Sequence, residues 1–179
     1  MRLNYQAVQY NKRIIYKELK NQKNLKPLIL FICTGNICRS PMAEGLFSKL
    51  VNESGLSFEI SSAGISTFGG QPPSKHTLDI LRKEEIDLSA NTSQPVSHEL
   101  IGRSSYIFAM SSGHLSAIES MFPKALEKTF LVTEFCDSES VKGTDVPDPY
   151  GGTIEEYEHT KDLLDVSLPN ILEFLKTQN

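Results

Sequence analysis

The sequence predicts an α/β fold: a three-layer sandwich whose small parallel sheet, of about four strands, carries helices on both faces. Three observations predict it. A continuous apolar run at 28–33 and a mostly apolar one at 105–110 read as buried strands rather than half-exposed ones. Segments of helical period stand between the runs. Glycine, proline and serine mark the joints.

The first strand is 28–33 (LILFIC). A short polar loop with Gly35 follows, then Ser40 as an N-cap and Pro41 at the first helical position. Met42, Ala43, Leu46, Phe47, Leu50 and Val51 recur at helical spacing, and Gly55 supplies a stop. A second strand is read at 57–63, a Gly/Pro-rich loop at 64–73, and a helix capped by Ser74 and running through Ile86. The third strand is 105–110 (SYIFAM), followed by a short helix at 112–122 and a fourth strand at 129–133. A long polar loop, 134–152, leads to a final helix from Thr153 to about Lys176. Pro169 falls inside it, where a kink or a fresh start is expected. In such a fold ligands bind at the carboxyl ends of the strands, which directs attention to Cys33.

Composition narrows the class. Of 179 residues, 22% are charged and 39% hydrophobic, the proportions of one globular domain with or without an appendage. The longest apolar run is far short of the roughly 20 residues of a membrane span. The first 26 residues lack the apolar stretch of a secretory signal. Three cysteines are too few, and odd in number, for a disulfide scaffold. The reading is a cytoplasmic protein of a reducing compartment.

The net charge of −4 hides a division. Residues 1–26 carry seven basic groups and one acid, Glu18, a balance of +6 that leaves −10 for the remainder. An acidic body is a poor nucleic-acid binder, and no nucleic-acid partner is expected. The basic arm is expected to be a solvated tail or frayed helix. Leu3, Ala7, Tyr10 and Ile14 fall on one helical stripe, which also permits docking on the body or on a membrane surface.

The chemistry concentrates in Cys33-Thr34-Gly35-Asn36-Ile37-Cys38-Arg39-Ser40-Pro41. A thiol ends a strand, a guanidinium follows six residues later, and a helix begins directly after. Gly35 allows φ > 0, so successive N–H groups can turn inward as an anion nest. The helix N-terminus adds its positive dipole end. Arg39 can grip two anion oxygens with a planar fork. A field that binds a phosphate dianion also favours a thiolate, and a thiolate behind a held phosphoryl group is a nucleophile. Such chemistry also needs a proton donor. Asp137, Glu139, Asp145 and Asp148 are the candidates in the late loop; Asp148 is best placed because Pro147 and Pro149 restrict its backbone, and Asp145 is the fallback.

The segment CTGNICRSPMAEG resembles the active-site signature of the low-molecular-weight protein tyrosine phosphatase family. The likeness extends over roughly 28–176, through Ser62-Ala63-Gly64, Met110 and Asp148-Pro149-Tyr150-Gly151-Gly152. It implies a basic extension at 1–26 and a phosphatase domain at 27–179. It also implies Cys33 as nucleophile, Arg39 as phosphate clamp and Asp148 as general acid. Asn36 would shape the loop through its side chain, and Ser40 would donate to the Cys33 sulfur. Thr34, Gly35, Ile37 and Cys38 complete the loop. Phe68 and Tyr150 are the expected aromatic walls of a pocket for phosphorylated protein substrates.

The resemblance and the spacing also imply a protective Cys33–Cys38 bridge on oxidation. Cys136 is expected to be structural, near a strand end. No cofactor or metal is expected: zinc needs four ligands, and His76, His98, His114 and His159, read as surface or helix-capping residues, show no metal or triad spacing. Members of the family that resemble arginine phosphatases tend to carry Thr where Ile37 stands, and isoleucine favours phosphotyrosine. Phosphoarginine hydrolysis remains the alternative, with a non-catalytic phospho-binding module as the contrasting class. Arsenate reduction would need a relay of further cysteines, and none lies between Cys38 and Cys136. One departure stands out: Asn91 and Gln94 occupy the places of a usual His and Arg, which bears on how the loop is supported.

Overall fold

The computed structural model describes residues 26–178. The expectations for the basic arm, including its helical stripe, fall on residues almost wholly outside that range.

Four parallel strands form one sheet: β1 (Leu28–Cys33), β2 (Glu59–Gly64), β3 (Ser104–Ala109) and β4 (Thr129–Leu131), in the order β2-β1-β3-β4. Around them lie α1 (Arg39–Ser54), α2 (Lys75–Lys83), α3 (His98–Arg103), α4 (Ser112–Met121) and α5 (Ile154–Thr177), with a 3₁₀ turn at Pro123–Lys128. All six residues of β1 are buried, because helices cover both faces. Ile29, Phe31, Tyr106 and Phe108 point to the layer built by α1, α2 and α5, against Phe47, Leu81, Leu164 and Leu168. Leu30, Ile32 and Ile107 point to the opposite layer, against Ile101 of α3 and Ile118 of α4. The strand order reverses between β1 and β3, so the crevice for a ligand opens beyond their carboxyl ends.

Several boundaries differ from expectation. The helix expected to reach Ile86 ends at Lys83. Glu85 takes the left-handed conformation (φ 62°), while its N–H bonds to Arg82 and that of Ile86 to Leu81. That pattern is a Schellman stop made without glycine, and it turns Ile86 back onto the core. β2 starts two residues late, β3 one residue early, and β4 is shorter than read. The six-residue α3 has no counterpart in the sequence reading, since it is too short to show a period; its mark is Ser97, whose hydroxyl accepts from the N–H of Leu100. The last helix runs through Pro169 as one element and does not start anew.

Candidate active site

The loop between β1 and α1 curls around the Cys33 sulfur. The Asn36 N–H donates to Sγ (3.2 Å), and the Ser40 hydroxyl lies 3.0 Å from it. Ser40 is therefore not the N-cap read from the Ser-Pro pair. Cys38 occupies that position, without a side-chain cap, and the Ser40 hydroxyl is spent on the sulfur. The left-handed turn also falls on Asn36 (φ 56°) rather than on Gly35. Asparagine tolerates this conformation when its side chain bonds locally, and here it is fully engaged.

Its bonding ties the loop to Ser40, to β2 and to Gln94. A backbone N–H can only donate, so the Gln94 N–H (2.9 Å) identifies the Asn36 atom it meets as Oδ1. The Asn36 NH₂ group then donates to Ser40 Oγ (2.9 Å) and to Ser62 Oγ (2.7 Å). Ser40 keeps its single hydrogen, which points to the Cys33 sulfur when that sulfur is a thiolate, because a thiolate can only accept. Both donors at that sulfur suit an anion. Ser62 passes its own hydrogen to Glu44 (2.5 Å), which also accepts from Asn91 (3.0 Å). Burial pushes the Glu44 carboxyl upward, against those two donors. Asn91 and the backbone of Gln94 thus support the loop where the family pattern has a His and an Arg. A Cβ on Gly64 would come within 2.7 Å of the Thr34 carbonyl, so only glycine lets β2 approach the loop this closely.

Arg39 is 5% exposed, and its guanidinium reaches back along the loop. Nη1 donates to the Val146 carbonyl (3.2 Å), and Nη2 to Asp148 Oδ2 (2.6 Å), with Thr34 Oγ1 at 3.5 Å. The Nε donor is buried and has no hydrogen-bond partner among the described residues, as befits a group that serves an anion. The Asp148 side chain is 47% exposed, so in this ion pair the carboxylate is the partner free to move. Asp145, the fallback acid, is spent on α4, where it accepts from the Ser112 N–H (2.7 Å) and hydroxyl (3.2 Å).

Sulfur, guanidinium and Asp148 share one open cleft of about 580 Å³. It is lined by the 33–39 loop (Asn36 excepted), by Asp148 and Tyr150, and by Gln71. Phe68 is fully exposed and does not line it. Gly69 and Gly70, both at positive φ, turn the chain there, and the Ser93 N–H donating to the Gln71 carbonyl (2.7 Å) with the Gln71 N–H donating to the Ser93 hydroxyl (3.0 Å) brings Gln71 to the wall instead. Cys38 is a free, buried thiol 3.2 Å from the Tyr157 hydroxyl, and burial raises its pKa. Cys136 is buried beside Ser167. Among the described residues, no group of three or more His, Cys, Asp or Glu side chains could hold a metal ion. No helix of the described residues is long and apolar enough to cross a membrane.

Three neighbours of the loop escaped the sequence reading. Glu44 was legible in principle, since it stands four residues after Ser40 on the same helical face. His114, read as a surface or capping residue, is buried with Nε2 at 2.9 Å from Thr34 Oγ1. Burial first, then the Arg39 charge, lowers its pKa to about 4, so it is a neutral ring near pH 7. Gln71 gave no signal in the sequence.

A family model described as low molecular weight phosphotyrosine protein phosphatase matches residues 28–179. A protein-arginine-phosphatase of Geobacillus stearothermophilus is 38% identical over 152 residues, covering 84% of this chain and 97% of the relative. The low molecular weight protein-tyrosine-phosphatase YfkJ of Bacillus subtilis is also 38% identical, over 133 residues, covering 72% and 84%. Among solved structures, the YwlE arginine phosphatase, in a cysteine-to-serine form with a phosphorylated active-site serine, superposes with a TM-score of 0.77. It is 34% identical, covering 83% of this chain and 95% of that one.

Proposed function

The chain belongs to the low molecular weight phosphotyrosine protein phosphatase family, and from that premise we propose that it removes phosphate from phosphotyrosine in proteins through a phosphocysteine at Cys33. That it is a protein phosphatase follows from the family; the amino acid it serves and the roles of its residues are the proposal. One observation carries it: the Cys33 sulfur, with two aimed donors, shares a cleft with the Arg39 guanidinium and the Asp148 carboxyl.

In this reading the Cys33 thiolate attacks phosphorus in line, forming the S–P bond as the bond to the tyrosine oxygen breaks. Arg39 holds two of the non-bridging oxygens, and the loop N–H groups serve the developing charge. Asp148, released from Arg39, gives its proton to the departing phenolic oxygen. The resulting carboxylate takes a proton from water, which attacks phosphorus and frees phosphate. The Ser40 hydrogen receives the returning thiolate.

Ile37 and Tyr150 favour tyrosine by giving the cleft an apolar side chain and an aromatic rim for a flat, long leaving group. The protein-arginine-phosphatase relatives favour a second reading, hydrolysis of phosphoarginine on the same scaffold. Competition between phosphotyrosine and phosphoarginine peptides separates the two. Phosphotyrosine is expected to win by at least about tenfold in kcat/KM, and Ile37→Thr to narrow the gap; a preference for phosphoarginine in the unaltered protein overturns the tyrosine assignment.

Cys38 is proposed to protect the nucleophile. Peroxide would oxidise the Cys33 thiolate to a sulfenic acid, and the Cys38 thiol would displace water from it to form a disulfide. Dithiol is expected to restore activity after peroxide in the unaltered protein but not in Cys38→Ser. Equal recovery in both removes the protective role.

A further inference from the structure

We propose that His114 is a positioning residue which, acting through the Thr34 hydroxyl, holds the Arg39 guanidinium in plane once Asp148 has let it go. The inference rests on the phosphatase reading above and concerns the step at which Asp148 donates its proton.

Among the described residues the Arg39 fork has two side-chain hydrogen-bond partners, both at Nη2: Asp148 at 2.6 Å and Thr34 at 3.5 Å. A carboxyl that carries the proton has lost the charge that holds it to Arg39, and it must turn toward the leaving oxygen, so the contact at Nη2 loosens during the reaction. Thr34 Oγ1 then remains as the side-chain acceptor at Nη2, with the Val146 carbonyl at Nη1. Thr34 is itself exposed and could rotate freely about χ1. What stops it is the His114 ring, 2.9 Å away at Nε2.

The ring is held in turn. Its Nδ1 lies 2.7 Å from the hydroxyl of Ser111, the residue that caps α4 and accepts from the His114 N–H. That places the ring on the first turn of a helix beginning at the strand-order reversal, beside the loop after β1. The same helix end is tied to the late loop, because Asp145 accepts from Ser112 and the Val146 N–H donates to the Met110 carbonyl. One rigid corner therefore touches Thr34 and the loop carrying Asp148.

Proton bookkeeping agrees. If the Thr34 oxygen accepts from Arg39, its own hydrogen goes to His114 Nε2, which needs a lone pair there and the ring hydrogen on Nδ1, facing Ser111. A neutral ring meets that need. The charged groups facing it are Arg39 from α1 and Asp145 and Asp148 from the late loop.

Alignment of the guanidinium counts most when the phosphoryl oxygens lie flat in the transition state. The test therefore compares orthovanadate, which adopts that shape, with inorganic phosphate, which does not. It uses the full chain and its His114→Ala, His114→Gln, Thr34→Val and double His114→Ala/Thr34→Val forms. His114→Ala and Thr34→Val are each expected to weaken vanadate binding and lower kcat on an aryl phosphate by about tenfold. Phosphate binding and KM should change by less than about threefold. The double form should be no worse than the worse single form, and His114→Gln, whose amide can still reach Thr34, should recover most of the loss. Additive losses, equal weakening of both anions, or a His114→Ala form like the unaltered protein would each overturn the inference. If His114→Ala does not fold, His114→Phe, which keeps the ring volume and removes the acceptor facing Thr34, takes its place and is expected to show the same loss; unchanged vanadate binding in it overturns the inference. Failure of the unaltered protein to bind either anion would sink the reading of the site itself, a result distinct from an intact site indifferent to His114.

Discussion

Cys33→Ser is expected to abolish turnover, lowering kcat on aryl phosphates by about 10⁴-fold or more, while phosphate binding stays within a fewfold of the original. The two effects separate because they rest on different groups. Anion binding draws on Arg39, the loop N–H groups and the start of α1, none of which the substitution removes. Nucleophilicity draws on a sulfur to which the Asn36 N–H and the Ser40 hydroxyl are already directed. A serine oxygen gives up its proton far less readily, and as an ester oxygen it leaves phosphorus poorly. At most one phosphoryl group per chain is expected, with no second cycle, and a product-burst assay reads this directly. Turnover surviving the substitution removes Cys33 from the mechanism.

Asp148→Ala carries the next largest effect, and its sign differs between two measurements. kcat should fall by about 10²–10⁴-fold, more for a phenol that leaves poorly than for one that leaves well. Phosphate binding should hold or tighten. The carboxylate lies 2.6 Å from Arg39 Nη2, where it competes for the guanidinium and repels an incoming dianion. Removing it frees the donor for the ligand. Calorimetric titration with phosphate, beside steady-state rates on two phenyl phosphates of different leaving ability, checks both halves. Parallel losses in binding and rate would mean that Asp148 holds the ligand rather than serving as an acid.

The parts of this molecule that could be read in advance are those written in contiguous residues. The run Leu28–Cys33 is apolar throughout because both its faces are covered, and the loop after it carries thiol, arginine and helix start within eight residues. Asp148 was legible because prolines on either side fix its backbone. Local cues misled where a distant partner claimed the group. Ser40 precedes a proline, as an N-cap does, yet its hydroxyl belongs to Cys33. Phe68 lies in the expected loop, but two left-handed glycines and Ser93 bring Gln71 to the cleft. His114 meets Thr34 across 80 positions of chain, and Glu44 serves the loop only because β2 presents Ser62 between them. Such contacts follow from sheet order, which no window of sequence contains.

The central claim is a covalent phosphoryl group on Cys33, and it can be trapped. In the Asp148→Ala form a good leaving group such as p-nitrophenol departs without an acid, whereas hydrolysis of the intermediate lacks its base. Quench in alkaline denaturant within the first turnover, with EDTA present, followed by peptide mass mapping kept out of acid, is expected to find one phosphoryl group on Cys33 and none elsewhere. Phosphate on another residue, or p-nitrophenol released with no labelled cysteine, would contradict it.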